Sequence, residues 1–288
     1  MINLIVAPKT HNKKAELFTK KVVKFLKTNN VEYSVYFSLN YTDIADNVKE
    51  LLSFGETEFV IVGDDIIIHE FLNCIKDISK IKLGIIPTNK NDDFAKYFDL
   101  QTDPILAIKR ILEKKICEID LLLVNDMRVI NNVSVGASVE IEEFHNQFKL
   151  RNLITKEYAK RKVASSFSGI ELTFSSKNSK AKTINAYELV VSNSGNRNGK
   201  NISPLSNVKD GLLNLVYVES LEEKANMNNL KLFFKGEHIY KEQTKQSWLQ
   251  DVKITSADKK IKALIDGKIH NLDKLEISIV ENGLKLYK

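Results

Sequence analysis

The stretch Glu58-Phe-Val-Ile-Val-Gly-Asp-Asp-Ile-Ile-Ile-His-Glu-Phe-Leu-Asn-Cys74 decides the fold. Phe59 to Val62 is a largely β-branched apolar run, which predicts a fully buried strand. The run stops at Gly63. Asp64 and Asp65 follow, and Phe71, Leu72 and Ile75 then make a helical stripe around Glu70. A strand that ends in glycine and acids before a helix is where α/β proteins hold phosphates and metal ions. There the free backbone amides of the helix start face the ligand.

Working outward, strand and helix alternate through the first half. Met1 to Ala7 reads as a strand, and Lys13 to Asn29 as a helix with Phe18, Val22, Phe25 and Leu26 on one face. Glu32 to Phe37 is a strand. Thr42 can cap the next helix, whose stripe is Ile44, Val48, Leu51 and Leu52. Leu83 to Ile86 is a further strand. Thr102-Asp103-Pro104 places a cap before a proline at the first helical position, ahead of Ile105, Ile108, Ile111 and Leu112. This alternation predicts a parallel sheet covered by helices over residues 1–124.

The pattern changes beyond Cys117 to Val124. Asn125-Asp126 reads as a hairpin turn into Met127 to Val135. Strands then dominate: 169–174, 184–192, 212–218, 252–255, 261–265, 275–280 and 284–287. Asp266-Gly267 and Asn282-Gly283 are hairpin signals. Leu150 to Phe167 reads as a basic helix, and Ser220 with Glu223 has capping-box spacing before Phe234. Residues 125–288 are therefore expected to form a mainly antiparallel β-sandwich.

The chain has 288 residues, enough for two domains, with 43% hydrophobic and 28% charged residues, an ordinary globular composition. Its two cysteines, Cys74 and Cys117, lie in apolar runs and read as free thiols. The five histidines show no paired ligand spacing. Ile2 to Ala7 is too short for a signal core, and no run reaches the roughly 20 apolar residues of a spanning helix. A cytoplasmic protein is expected, with peripheral membrane contact left open. A formal net charge of +6 favours anionic partners such as acidic lipid, although a solvated lysine-rich surface gives the same number. Lys149, Arg151, Lys156, Lys160, Arg161 and Lys162 concentrate that charge, with the same two readings. No nucleic-acid partner is expected, and a homodimer is left open.

Six further pieces carry a resemblance. They are Gly84-Ile-Ile-Pro87 with Asp93-Phe-Ala-Lys96; Ile119-Asp-Leu121; Asn132-Val-Ser-Val-Gly-Ala137; Val190-Val-Ser-Asn193 with Ile202-Ser-Pro204; Asp210-Gly-Leu-Leu213; and Ile265-Asp-Gly267. With the Gly63 turn, they resemble in order the signatures of the bacterial diacylglycerol kinase-like lipid kinases, whose superfamily includes sphingosine and NAD kinases. The resemblance implies an α/β nucleotide-binding domain followed by a β-sandwich. It implies ATP- and Mg²⁺-dependent phosphoryl transfer to a lipid hydroxyl, such as that of diacylglycerol. It makes Gly63, Asp64, Asn89, Asn91 and Asp93 nucleotide-pocket residues, Asp65 a Mg²⁺ ligand at the catalytic centre, Asp266 the catalytic base, and Asp210 the ligand of a structural Mg²⁺.

The match departs from the family at its phosphate-binding turns. Gly63-Asp-Asp-Ile-Ile67 stands where the family has Gly-Gly-Asp-Gly-Thr. Asn89-Lys-Asn-Asp-Asp93 replaces Gly-Thr-Gly-Asn-Asp, Asn198-Gly-Lys200 replaces a triple glycine, Ala7-Pro8 replaces Asn-Pro, and Lys268 replaces the glutamate of Asp-Gly-Glu. Glycine serves such turns because backbone must approach phosphate closely and adopt positive φ. β-Branched Ile66 and Ile67 oppose both. Two adjacent carboxylates within ~4 Å repel by about 4 kcal/mol at an effective dielectric near 20. The residues thus predict impaired nucleotide binding. They leave open a non-catalytic member of the family that binds lipid or nucleotide. Asp64 and Asp65 can also be plain helix N-terminal acids, and Asp210 and Asp266 plain acid-glycine turns.

Overall fold

The computed structural model describes all residues except 9–12, 198 and 222. The chain divides into two compact units, Met1–Leu121 with Val280–Lys288, and Leu122–Ile279.

The first unit runs β1 (Ile2–Val6), α1 (Lys13–Thr28), β2 (Tyr33–Phe37), α2 (Thr42–Ser53), β3 (Glu58–Gly63), α3 (Asp65–Cys74), β4 (Lys82–Pro87), α4 (Asp93–Tyr97), α5 (Pro104–Leu112) and most of β5 (Ile116–Val124). Its strands lie in the order β2-β1-β3-β4, all parallel. The apolar run of β3 is buried from Phe59 through Gly63, as its composition predicts. Helix stripes close the core, with Val22 and Leu26 from α1, Ile44, Val48 and Leu51 from α2, and Ile108 and Ile111 from α5 all buried. Asp103 caps α5 through Ile105 N and Leu106 N, with Pro104 in the first turn. Strand order reverses between β1 and β3, so their carboxyl ends, at Val6 and Val62, open the crevice where such sheets take ligands.

The second unit is an antiparallel β-sandwich. It adds β6 (Met127–Val129), β7 (Asn132–Gly136), α6 (Ala137–Asn146), α7 (Leu153–Ser166), β8 (Ile170–Ser176), β9 (Ser179–Ser192), β10 (Asn196–Arg197), β11 (Lys200–Asn201), β12 (Leu213–Glu219), α8 (Glu223–Lys235), β13 (Thr244–Leu249), β14 (Asp251–Ser256), β15 (Ile261–Ile265), β16 (Lys268–Leu272) and β17 (Leu275–Tyr287). Strand β9 pairs with β7, β8 and β12, and β15 pairs with β7 and β16. Val133, Val135, Leu189, Val191, Leu215, Ile254 and Ile277 lie in its buried core. Helices α6, α7 and α8 share a smaller cluster in which Ala137, Ile141, Ala159, Val163 and Leu230 pack with Tyr187.

Several local readings change. Helix α3 begins at Asp65, ahead of Glu70. Thr42 is the first helical residue of α2, and the cap position is Tyr41. Ser220 gives its hydroxyl to the Ser168 carbonyl, while the Asn226 side chain holds both backbone groups of Leu221. Asn282-Gly283 makes no hairpin. Strand β17 is continuous: it runs antiparallel to β14 at Leu275–Ser278 and parallel to β4 at Lys285–Leu286. Asn282 has positive φ (51°), and its amide donates to Asp120 Oδ1 at 2.9 Å. One residue in the left-handed region therefore kinks the strand without reversing it. Helix α6 follows a strand whose apolar pattern gives no stop. Gly136 supplies one with φ 116°, and a Cβ there would lie 2.5 Å from the Tyr187 carbonyl oxygen.

A buried ion pair crosses the second unit. Glu188 and Arg197 have side chains only 1% and 5% exposed, with Nη1 to Oε1 at 2.9 Å. Glu188 Oε2 accepts the Ser138 amide at 2.8 Å, which fixes the start of α6 against β9. Arg197 Nη1 also donates to Ser134 Oγ. Burial pushes the Glu188 carboxyl above its ordinary range, and Arg197 and the Ser138 amide pull it back. Removing one partner strands a buried charge. Arg197→Met should therefore cost about 3–5 kcal/mol in denaturant unfolding, and Glu188→Gln in the same chain should recover part of it.

Candidate active site

In the first unit the site residues gather at the carboxyl ends of β3 and β4. β3 ends at Gly63, and Asp64 caps α3 by accepting Ile67 N at 3.3 Å. Asp65 Oδ2 accepts the amides of Asp93 at 2.8 Å and Phe94 at 3.3 Å. These are the first amides of α4, whose own cap residue, Asp92, makes no capping bond. Asp65 thus fills with its own carboxylate the amides that an incoming anion would use.

The turn before α4 closes on itself. Asn89 Oδ1 accepts Asn91 N at 3.1 Å, and Asn89 Nδ2 donates to Asp92 Oδ1 at 2.9 Å. Asp92 Oδ2 is buried without a hydrogen-bond partner among the described residues. Burial, then Asp64 and Asp93, push the Asp92 carboxyl up to about 7, against the pull of Asn89 and Lys14. The neighbouring Tyr41 hydroxyl is also pushed up, by burial first and then by Asp64 and Glu70. The sequence therefore assembles Asp64, Asp65, Asn89, Asn91 and Asp93 around one mouth, and adds Asp92 and Tyr41.

The space over Gly63, which a glycine turn leaves for phosphate, is closed. A Cβ on Gly63 would lie 2.5 Å from Ile67 Cγ2 and 2.9 Å from Ala7 Cβ. Both neighbours are replacements for family residues, and both are buried. The space over the one remaining glycine is therefore filled by protein. Among the described residues, no group of three or more His, Cys, Asp or Glu is placed to hold a metal ion.

In the second unit Asp266 occupies the turn between β15 and β16, in the left-handed region (φ 42°) and 6% exposed. Its Oδ2 accepts Ile130 N at 2.9 Å, and its Oδ1 accepts Asn131 N at 2.9 Å and Asn132 N at 3.3 Å. Its own amide donates to the Asn132 carbonyl at 3.2 Å. This carboxylate fastens the entry to β7. Asp210 is exposed, and its Oδ1 accepts Leu212 N at 3.1 Å before β12, so it forms a local turn. Gly199 and Lys200 are described, whereas Asn198 lies outside the described residues.

Sequence reasoning missed the Glu188–Arg197 pair. Its signal was a lone acid within the apolar run Tyr187-Glu-Leu-Val-Val191, which a buried strand tolerates only when paired.

The α/β unit with parallel strands, the antiparallel sandwich and the strand-end aspartates define a kinase-like two-unit protein. The diacylglycerol kinase catalytic domain model matches residues 1–124, and the YegS C-terminal NAD kinase beta sandwich-like domain model matches residues 131–287. The chain belongs to the diacylglycerol kinase-like lipid kinase family. A Staphylococcus carnosus (strain TM300) protein named "Putative lipid kinase" is 25% identical, over 79% of this chain and 76% of that one. A Bacillus anthracis str. Sterne diacylglycerol kinase structure superposes with a TM-score of 0.73 at 15% identity, over 99% of this chain and 96% of the other. An Archaeoglobus fulgidus NAD kinase in complex with ATP gives 0.58 at 13% identity, over 100% and 94%.

Two outcomes follow from this geometry. Asp266→Asn puts an NH₂ against a backbone donor and should lower stability by about 2–4 kcal/mol, read by thermal unfolding, whether or not the chain turns over substrate. Asp92 holds its proton more tightly folded than unfolded. Its ionisation therefore weakens the fold as pH rises from about 4, the unfolded value, to about 7. In metal-free buffer, Asp92→Asn should raise Tm at pH 8 by about 2–4 °C and change it little at pH 4.

Proposed function

We propose that this chain is a lipid-directed member of the family whose phosphoryl transfer from Mg²⁺-ATP to a lipid hydroxyl, of the diacylglycerol type, is strongly weakened. The family match over both units supports the lipid and nucleotide classes. The observation that carries the weakening is the filled space over Gly63, where a Cβ would lie 2.5 Å from Cγ2 of Ile67, the residue that stands in place of the family's threonine. Phosphoryl transfer relies on positioned donors and charge neutralisation. Here Ile67 and Ala7 close the space over the one remaining glycine, and Asp64 adds a carboxylate beside it. Losing one preorganised donor costs about 10²–10³ in rate. A soluble chain acting on such a substrate meets it at an acidic membrane surface, the partner class its charge favours. Among the described residues, no helix is long and apolar enough to cross a membrane.

A second reading is favoured by Asp266, whose carboxylate oxygens are both engaged by backbone amides. In it the chain binds lipid and no longer phosphorylates it. Purified chain with Mg²⁺-ATP and diacylglycerol in mixed micelles separates the two. The proposal expects slow, metal-dependent phosphatidic acid formation, raised at least about 10-fold when Asp64→Gly, Ile66→Gly and Ile67→Thr reopen the turn. No product and no thermal shift with ATP or ADP, in either chain, would leave the binder.

A further inference from the structure

The strongest exposed apolar patch of the second unit lies at the start of α7. Leu150, Leu153, Ile154 and Tyr158 are 70%, 86%, 80% and 55% exposed. The helix does not fray there, because a capping box fixes its first turn. Asn152 Oδ1 accepts Ile154 N and Thr155 N, each at 3.0 Å, and Thr155 Oγ1 accepts Asn152 N. Ala159, Val163 and Ala164 face the other way, into the cluster shared with α6 and α8. The apolar tip is therefore held outward on a rigid base.

Positive charge surrounds it. Lys149 and Arg151 flank Leu150 and are exposed. A groove of about 610 Å³ between α7 and α8 carries Lys160, Arg161, Lys231 and Lys235 over a floor that includes Leu230 and Phe234. Lys160 Nζ stands 4.6 Å from the Phe234 ring centroid. Glu157 is the acid of the groove, 3.4 Å from Lys160 and 4.0 Å from Arg161, and cations outnumber it. Long cationic side chains beside aliphatic ones suit the boundary between acyl chains and phosphate headgroups. Two copies of this surface would set like charges face to face. Nucleic acid would match the charge and leave the aliphatic tip in water.

We propose that the start of α7 and the α7–α8 groove form a docking surface for an anionic lipid bilayer. Leu150, Leu153, Ile154 and Tyr158 enter the interface, and Lys160, Arg161, Lys231 and Lys235 meet the headgroup phosphates. This deepens the lipid-directed reading above and rests on it for its purpose, but its test needs no turnover.

The full chain is sedimented with vesicles of phosphatidylcholine alone or doped with phosphatidylglycerol. Partition onto the anionic vesicles should be at least about 10-fold stronger and fall with added salt. Leu153→Ser with Ile154→Ser should reduce it at least about 10-fold, and Lys160→Glu with Lys231→Glu should abolish the preference for phosphatidylglycerol. Leu153, Ile154 and Lys231 lie outside the packed cluster, Lys160 touches it only through the Phe234 ring, and unchanged thermal unfolding of both variants is the control. Equal partition of intact chain and variants overturns the proposal. So does a dimer in analytical ultracentrifugation that Leu153→Ser with Ile154→Ser dissociates without any vesicle binding. Turnover of a water-soluble short-chain diacylglycerol separates the two readings. Turnover without vesicle binding overturns the surface and keeps the kinase, whereas variant-sensitive vesicle binding without turnover supports the surface and removes the kinase.

Discussion

The mouth of the first unit depends on one carboxylate. Asp65 opens α3, yet it binds amides that belong to α4, and so joins the turn after β3 to the turn after β4. A charged acceptor on two backbone donors is a strong and directional contact. The acceptor is part of the chain, always present and already oriented. Beside it, Ile67 and Ala7 fill the space over Gly63.

The second unit uses the same contact. Asp266 sits in a left-handed turn whose glycine, Gly267, has φ 87°, and gathers three consecutive amides from Ile130 to Asn132. These amides lie at the entry to β7, Ile130 and Asn131 ahead of the strand and Asn132 as its first residue. A buried backbone donor needs a partner, and this side chain supplies it. The aspartate therefore has a structural task in the fold, holding the entry to β7.

Much of this was legible in the chain and some was not, for identifiable reasons. β-Branched runs such as Phe59–Val62 announce buried strands because nothing else buries both faces. The Asp103-Pro104 cap reads directly because its chemistry is local. Strand β13 was missed because Thr-Lys-Gln-Ser-Trp-Leu is polar and only half-buried, so its pattern is faint. Asn282-Gly283 misled because turn propensity is local, while the fate of β17 is set by partners β14 and β4 far off in sequence. The Asp64–Asp65 pair showed that charge had replaced glycine. It did not show which acid points where, since a shift of one residue reverses the assignment. Only the contact with Asp93 and Phe94 settles that Asp65 is the bridging acid and Asp64 the helix cap.

Net charge tells less than its distribution. The chain is basic overall, yet in the first unit's mouth burial first, and then the neighbouring acids, push the Asp92 carboxyl up to about 7 and the Tyr41 hydroxyl up as well. Positive charge gathers on α7 and α8 of the second unit, and the first turn of α7 also exposes Leu153 and Ile154. Electrostatic attraction falls off within a Debye length of roughly 8 Å at physiological salt. Charge on those helices therefore acts on whatever surface they touch. A basic composition and an acidic mouth therefore coexist, because the lysines of α7 and α8 and the aspartates of the β3 and β4 turns belong to different units.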